Sequence, residues 1–290
     1  MYEHISICEG FSRNEGCKPF LTRKQVEERC PVAFASEATH PTCSEHYVPL
    51  RTADVMDLVS TFGWLPVSAK QTGKGPMPAR SLHMMVFEHP EKSVNAKGSP
   101  IGVPRLILIN SLDGFTKLQF FCGFFRFVCS NGLIVSDASF SSLKVRHAKT
   151  NMDAVATLIK EVLDKMDPAM EKVSRMASTE LDEQLTYNFY LQALALRINF
   201  RAPQAERKEL KDYLYIDNMM MEPLHEADKG RSDLWYHYNN MQERASKGRF
   251  AYLTLENGKA HNLRMISGIS RNVDFNKQLF ELANQFLPIE

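Results

Sequence analysis

Four side chains in the first fifty residues have the right chemistry to hold a soft metal. Cys30, His40, Cys43 and His46 bring two thiols and two imidazoles within 17 positions. Zinc takes such ligands tetrahedrally, but structural sites draw them as pairs from the ends of tight turns. The spacing Cys-x9-His-x2-Cys-x2-His supplies no pair of that kind, and none of the six cysteines forms a C-x-x-C. Reduced, non-ligating side chains are therefore expected, with no metal and no cofactor.

Motifs for bond chemistry are missing as well. Gly73-Lys74-Gly75 echoes a phosphate loop but lacks its second half, so nothing is set to cradle a nucleotide triphosphate. The sequence has no G-x-S-x-G, H-E-x-x-H or G-x-G-x-x-G. His83, His89 and His147 are scattered, with no carboxylates spaced to work beside them. Catalysis needs a constellation, and a metal-dependent nuclease needs a carboxylate cluster. The expectation is a protein that is not an enzyme.

Binding chemistry is better represented. Net charge is +1, from 35 Lys and Arg against 34 Asp and Glu, which by itself points to no charged partner. By segment the picture changes. Residues 1–50 carry −2, residues 51–150 carry +6, residues 151–230 carry −5 and residues 231–290 carry +2. In the positive block, Lys70, Lys74, Arg80, Lys117, Arg126, Lys144, Arg146 and Lys149 stand among many Phe residues. Single-stranded nucleic acid is held by a cationic groove with aromatic faces for its bases. Phe120, Phe121, Phe124, Phe125 and Phe127 cluster too densely for all to be exposed, so they are expected in the core. The cations are the candidate DNA-binding residues, with Arg126 open to a structural reading because it sits inside the Phe-rich run. The acidic 151–230 segment could dock on a neighbouring copy's basic surface, which favours a homo-oligomer.

The elements that must carry these residues can be read from periodicity. Thr52 to Phe62 has a helical stripe that stops at Gly63. Leu65 to Gln71, Ser81 to Phe87, Arg105 to Ile109 and Thr116 to Phe121 read as extended, with Leu112-Asp113-Gly114 as a tight turn. Thr72 to Pro78 is an exposed loop, and Glu88 to Pro100 a turn or long hairpin loop. Gly123 to Ser130 reads as a short helix, and Leu133 to Val135 and Ser142 to His147 as strands. Beyond residue 150 the pattern is helical: Met152 to Met176 interrupted or bent near Pro168, Thr179 to Phe200, Gln204 to Tyr213, Ser232 to Lys247 and Asn276 to Phe286, with Thr179 and Asp182 resembling a capping box. The expected class is α+β, an antiparallel sheet with packed helices followed by a mainly helical C-terminal portion. The expected division is an N-terminal extension (1–50), a basic β-rich core (51–150) and a helical region (151–290). No apolar run is long enough to span a bilayer and the N-terminus lacks a signal-like apolar stretch, so a cytoplasmic protein that does not engage membranes is expected.

The residues also carry a resemblance. Val103 to Gly114, followed by Gly123-Phe124-Phe125-Arg126-Phe127-Val128-Cys129-Ser130-Asn131-Gly132-Leu133, resembles a phage and plasmid family of unknown function that includes the prophage proteins YfjQ and YafZ. Pro31 to Ala35, Ser44 to Pro49, Leu82 to Met85, Lys144 to His147, Asp233 to Trp235 and Gly268 to Val273 extend it over about 260 residues. Asn110, Asp113, Gly114, Arg126, Asn131 and Gly132 match the family pattern, whereas Arg105 and Leu112 depart from it. The resemblance implies a mobile element in a bacterial cell and, more distantly, likeness to RecT-like and Rad-fifty-two-like annealing proteins. The function expected is single-stranded DNA binding and annealing in recombination, without bond chemistry. The alternative is a protein-binding module that inhibits or redirects a host defence or replication factor.

Overall fold

The computed structural model describes residues 20–37, 40, 43, 47–78, 80–126, 132–133, 144–145, 152–201 and 208–288. The chain divides into two compact units.

The first unit is organised by one sheet. Its strands are β1 (Leu65–Gln71), β2 (His83–Glu88), β3 (Val94–Ala96), β4 (Ser99–Asn110), β5 (Leu118–Arg126), β6 (Gly132–Leu133) and β7 (Lys144–Val145). The order is β1-β2-β4-β5-β6, with β3 on β4 and β7 on β5. The ladders β1–β2, β2–β4, β4–β5 and β5–β7 are all antiparallel. Lys97 and Gly98, both at positive φ, turn β3 into β4, as a two-residue hairpin loop requires. Residues 102–110 of β4 are buried without alternation, because both faces of this central strand are covered. Phe87, Phe120 and Phe124 are among the fully buried side chains, each stabilising the fold by roughly 2–3 kcal/mol through burial.

Three helices flank this sheet. The first, α1 (Arg23–Arg29), starts at a capping box: Gln25 N–H donates to the Thr22 hydroxyl, and Thr22 N–H to Gln25 Oε1 at 2.9 Å. Next comes α2 (Thr52–Thr61), which, like α1, packs on β1. The third, α3 (Met152–Asp164), packs on β5 and α2. The first unit therefore takes in residues on both sides of the 51–150 segment and ends at Ala169, inside α4 (Met166–Met176), while Asn95–Ser99, the turn from β3 into β4, groups with the second unit.

Two sequence expectations change here. The segment from Gly123 that was expected to be helical is the second half of strand β5 as far as Arg126. Phe120 and Phe124 recur at helical spacing, but a strand buried on both faces also places apolar residues at every position. The interruption or bend expected near Pro168 in the 152–176 helix is a break at Lys165 that leaves two helices. Pro168 is the third residue of α4, where its missing N–H has no helical partner to lose.

The second unit packs α5 (Glu183–Ile198), α6 (Leu234–Lys247) and α7 (Ile269–Gln285) against one another. It adds a three-stranded antiparallel sheet in the order β10-β9-β8, from β8 (Leu214–Tyr215), β9 (Ala251–Thr254) and β10 (Lys259–Asn262). That small sheet was not anticipated. Asp182 is the N-cap of α5, accepting from Leu185 N–H at 2.7 Å, so no capping box starts at Thr179. Leu210–Asp212 is a 3-10 turn rather than an α-helix. Every residue of α6 from Leu234 to Ser246 is buried, and Gly248 closes the helix at φ +70°, where a Cβ would meet Met265 N at 2.7 Å. Among the described residues no helix is long and apolar enough to cross a membrane.

Candidate nucleic-acid interface at the turn end of the sheet

Strand register gathers the chemistry at one end of the first unit's sheet. Gln71, the last residue of β1, pairs with His83, the first of β2. His83 pairs with Asn110, the last of β4. Ile109 pairs with Gln119 near the start of β5, and Gln119 with Lys144 of β7. The loop 72–82 and the turn 111–117 therefore emerge from the same end. Gln71 roots the loop: its amide donates to Gly75 O at 2.9 Å, and its carbonyl accepts from Val32 N–H at 3.0 Å. Thr72 N–H donates to Leu82 O at 2.8 Å.

A buried polar network supports this end. Asn110 donates to Leu50 O at 3.1 Å and to the Thr52 hydroxyl at 2.8 Å. Thr52 Oγ1 lies 2.8 Å from His83 Nε2, and His83 Nδ1 lies 2.6 Å from Ser81 O. A carbonyl can only accept, so the Nδ1–H tautomer fits, and the Thr52 hydroxyl donates to Nε2. Asp113 accepts from Ser81 N–H at 3.0 Å, the Ser111 hydroxyl at 2.6 Å and Phe115 N–H at 3.0 Å. Leu112 N–H donates to the Ser81 hydroxyl at 2.7 Å, and the Tyr47 hydroxyl reaches Ser111 O at 3.3 Å. Burial works to raise the Asp113 pKa, but its hydrogen bonds and the nearby Arg80 charge outweigh it and hold the carboxyl below its ordinary range. Burial, with Cys43 and Asp113 adding to it, pushes the Tyr47 hydroxyl up. Gly114 turns at φ +78°, and a Cβ there would crowd Cys43 Sγ at 3.1 Å.

On the outside of this network stand cations. Lys70, Lys74, Arg80 and Lys117 are exposed. None of the ion pairs among the described residues engages them. The Arg80 guanidinium lies over the Phe115 ring at 4.1 Å from its centroid. Lys144 reaches the same end through its backbone pairing. Other cations of the basic block are already engaged. Arg105 donates to Glu88 at 2.7 Å in a buried cross-strand pair, Lys92 meets Asp167 and Lys97 meets Glu180. Arg126 is in β5, opposite Gly102, at the other end of the sheet from Lys117. Gly132 opens β6. Arg146, Lys149 and Asn131 lie outside the described residues.

Phe115 did not stand out in the sequence, although an aromatic directly after an Asp-Gly turn was the available signal. The soft-ligand set comes apart. Cys30 is buried with its thiol 3.8 Å from Lys70 O, and burial pushes its pKa up to about 12. The His40 ring meets Phe115 edge-on with centroids 5.3 Å apart, and His46 lies outside the described residues. Among the described residues no group of three or more His, Cys, Asp or Glu side chains is placed to hold a metal ion.

Comparison with known proteins gives a consistent result. The family described as "Domain of unknown function (DUF932)" matches residues 39–280. The UPF0380 protein YafZ of Escherichia coli (strain K12) is 29% identical over 268 residues, 92% of each chain. The UPF0380 protein YfjQ of the same organism is 28% identical over 269 residues, again 92% of each. No solved structure matches.

Proposed function

We propose that this chain, which belongs to the DUF932 family, binds single-stranded DNA at the turn end of its first sheet and promotes annealing without making or breaking a bond. The observation that carries the reading is the set of exposed cations, free of ion pairs among the described residues, that strand register brings together: Lys70, Lys74, Arg80 and Lys117. Unpaired exposed cations are what a phosphate backbone recruits, because each neutralised phosphate releases condensed counterions. The rigid network beneath them lowers the ordering cost of holding a ligand. Phosphates held this way leave neighbouring bases free to pair with a complementary strand. The proposed setting is the cytoplasm of a bacterial cell, in the service of a phage or other mobile element. Several copies assembled as a homo-oligomer would extend the contact along a strand.

The test is fluorescence anisotropy of labelled oligo-dT across a salt series. With four or five phosphates neutralised, log K is expected to fall with log salt at a slope of about −3. Absence of salt-sensitive binding at low ionic strength overturns the proposal. A stoichiometric host-protein partner that survives nuclease treatment, together with that absence, would favour the protein-binding alternative.

A further inference from the structure

We infer that Phe115 is the base-stacking residue of this surface, and that it makes the site select unpaired strands over duplex. The inference rests on the DNA-binding reading above and goes further by naming the nucleobase contact. Among the described residues the exposed large aromatics are Phe115, 56% exposed, and Tyr215 in the second unit. Phe115 alone stands among the unpaired cations of the sheet end. Of the other fully described Phe residues in the basic block, Phe87, Phe120, Phe121 and Phe124 are sealed in the core and offer no face to a base, and Phe62, half-buried at the C-terminal end of α2, is not among these cations.

The ring is exposed and also held in place. Its backbone N–H is tied to the Asp113 carboxylate at 3.0 Å. Arg80 lies over the ring at 4.1 Å, and His40 meets it edge-on. Gly114 sets the turn that presents it, at φ +78°. An ordinary exposed Phe on a loose turn would rotate freely and lose entropy on binding. This one is preorganised, and the guanidinium over one face of the ring carries charge to the same spot, where a phosphate can meet it. Bases have this ring within reach only when they are unstacked from a duplex. Stacking on an aromatic tolerates any base, so the expected selectivity is for strand state and not for sequence.

Phe115→Ala and Phe115→Trp test this, measured against labelled oligo-dT and a duplex of the same length across salt. Loss of one stacking contact is expected to weaken oligo-dT binding by about five- to a hundredfold. The salt slope should stay unchanged because no phosphate contact is removed. Duplex binding should change by less than about twofold, since a duplex does not offer its bases to the ring. Phe115→Trp should retain oligo-dT affinity, and its emission should be quenched on binding. The native Trp64 and Trp235 are 1% exposed and should not respond, which makes the signal specific to position 115. If Phe115→Ala binds oligo-dT as the wild type does while Lys74→Glu combined with Lys117→Glu loses it, the stacking role is overturned and the phosphate-binding reading stands. Equal losses on oligo-dT and duplex also overturn the stacking role. If the wild type binds neither, both readings fall together.

Discussion

Helix α6 buries His237, Asn239, Asn240, Gln242, Glu243 and Arg244, whereas the turn end of the first sheet leaves Lys70, Lys74, Arg80 and Lys117 in solvent. In α6 most of the polar side chains are consumed internally, although His237 Nδ1 and the Tyr238 hydroxyl are buried without a hydrogen-bond partner among the described residues. Arg244 donates to the carbonyls of Met219 at 3.1 Å, Glu222 at 3.0 Å and Arg249 at 3.4 Å. Glu243 takes His225 and Lys247, both at 2.7 Å. Asn240 donates to the Tyr190 hydroxyl at 2.8 Å. The sheet end has a similar sealed layer, the network around Asp113, but carries a second, unsatisfied layer outside it. Buried polar groups with full partnerships specify a fold. Exposed cations outside ion pairs add little to the fold and are available to a ligand; Arg80, which lies over the Phe115 ring and helps to hold the Asp113 carboxyl low, belongs to both layers. The difference separates residues whose loss should unfold the protein from residues whose loss should only weaken binding.

The largest expected effect is at Arg244. Removing a buried guanidinium strands the carbonyls it serves, and such losses cost about 3–5 kcal/mol. Arg244→Ala should show that loss by urea unfolding. In its folded fraction it should keep the wild-type salt slope on oligo-dT, because the residue belongs to the second unit's interior. A destabilisation below about 1 kcal/mol would show that the α6 contacts are not sealed as described.

His237 should give a pH-dependent effect of nearly that size. Burial lowers its pKa to about 4, opposed in part by Asp233 and Glu180. In the unfolded chain it titrates near 6.5. Between about pH 6.5 and pH 4 the unfolded state therefore binds the extra proton, and stability falls as pH falls, by about 3 kcal/mol over the window. His237→Gln should flatten that part of the stability–pH curve. An unchanged slope would remove His237 as its source.

The same division decides what was legible in the sequence. The α+β class, the helix at Thr52, the Asp113-Gly114 turn and the core placement of Phe120, Phe121 and Phe124 follow from local patterns, since periodicity and turn chemistry are properties of short segments. Strand β5 was misread from Gly123 onward because burial on both faces erases the alternation that marks a strand. The sheet β8–β10 was missed because its strands are only two to four residues long, although Asn257-Gly258 between Ala251–Thr254 and Lys259–Asn262 is a hairpin signal. The cations were found as a composition, but their sorting was invisible. Arg105 looks like Lys117 in sequence, and only the β2–β4 register, which sets it opposite Glu88, removes it from the surface. The supporting network joins Tyr47, Thr52, Ser81, His83 and residues 110–115, so no local window contains it.

A smaller effect is expected where the two layers of the sheet end meet. Asp113→Asn keeps the shape but loses a carboxylate that accepts from two backbone N–H groups and a hydroxyl, at a cost of about 2 kcal/mol. The folded pKa lies below the ordinary carboxylate value. The carboxylate's contribution is therefore present above about pH 4 and is lost as pH falls through the folded pKa. The stability gap between wild type and Asp113→Asn should narrow on acidification. Because Asp113 fixes the Phe115 backbone, the variant should also weaken oligo-dT binding at neutral pH, with the salt slope unchanged. A variant that is destabilised yet binds normally would separate the network from the binding surface.

The smallest effect on the fold, and the sharpest test of the outer layer, belongs to Lys117. It is exposed and makes none of the ion pairs among the described residues, so Lys117→Ala should leave stability within about 0.5 kcal/mol of wild type. It should nevertheless reduce the salt slope on oligo-dT by about 0.7, the contribution of one phosphate on a single strand. Lys97→Ala is the matched control: Lys97 is an exposed cation of the same block but is paired with Glu180 at 3.2 Å, and its slope should not change. If the two variants shift the slope equally, the cations act through overall charge and not through position. The distinction between engaged and unengaged cations then loses its functional meaning.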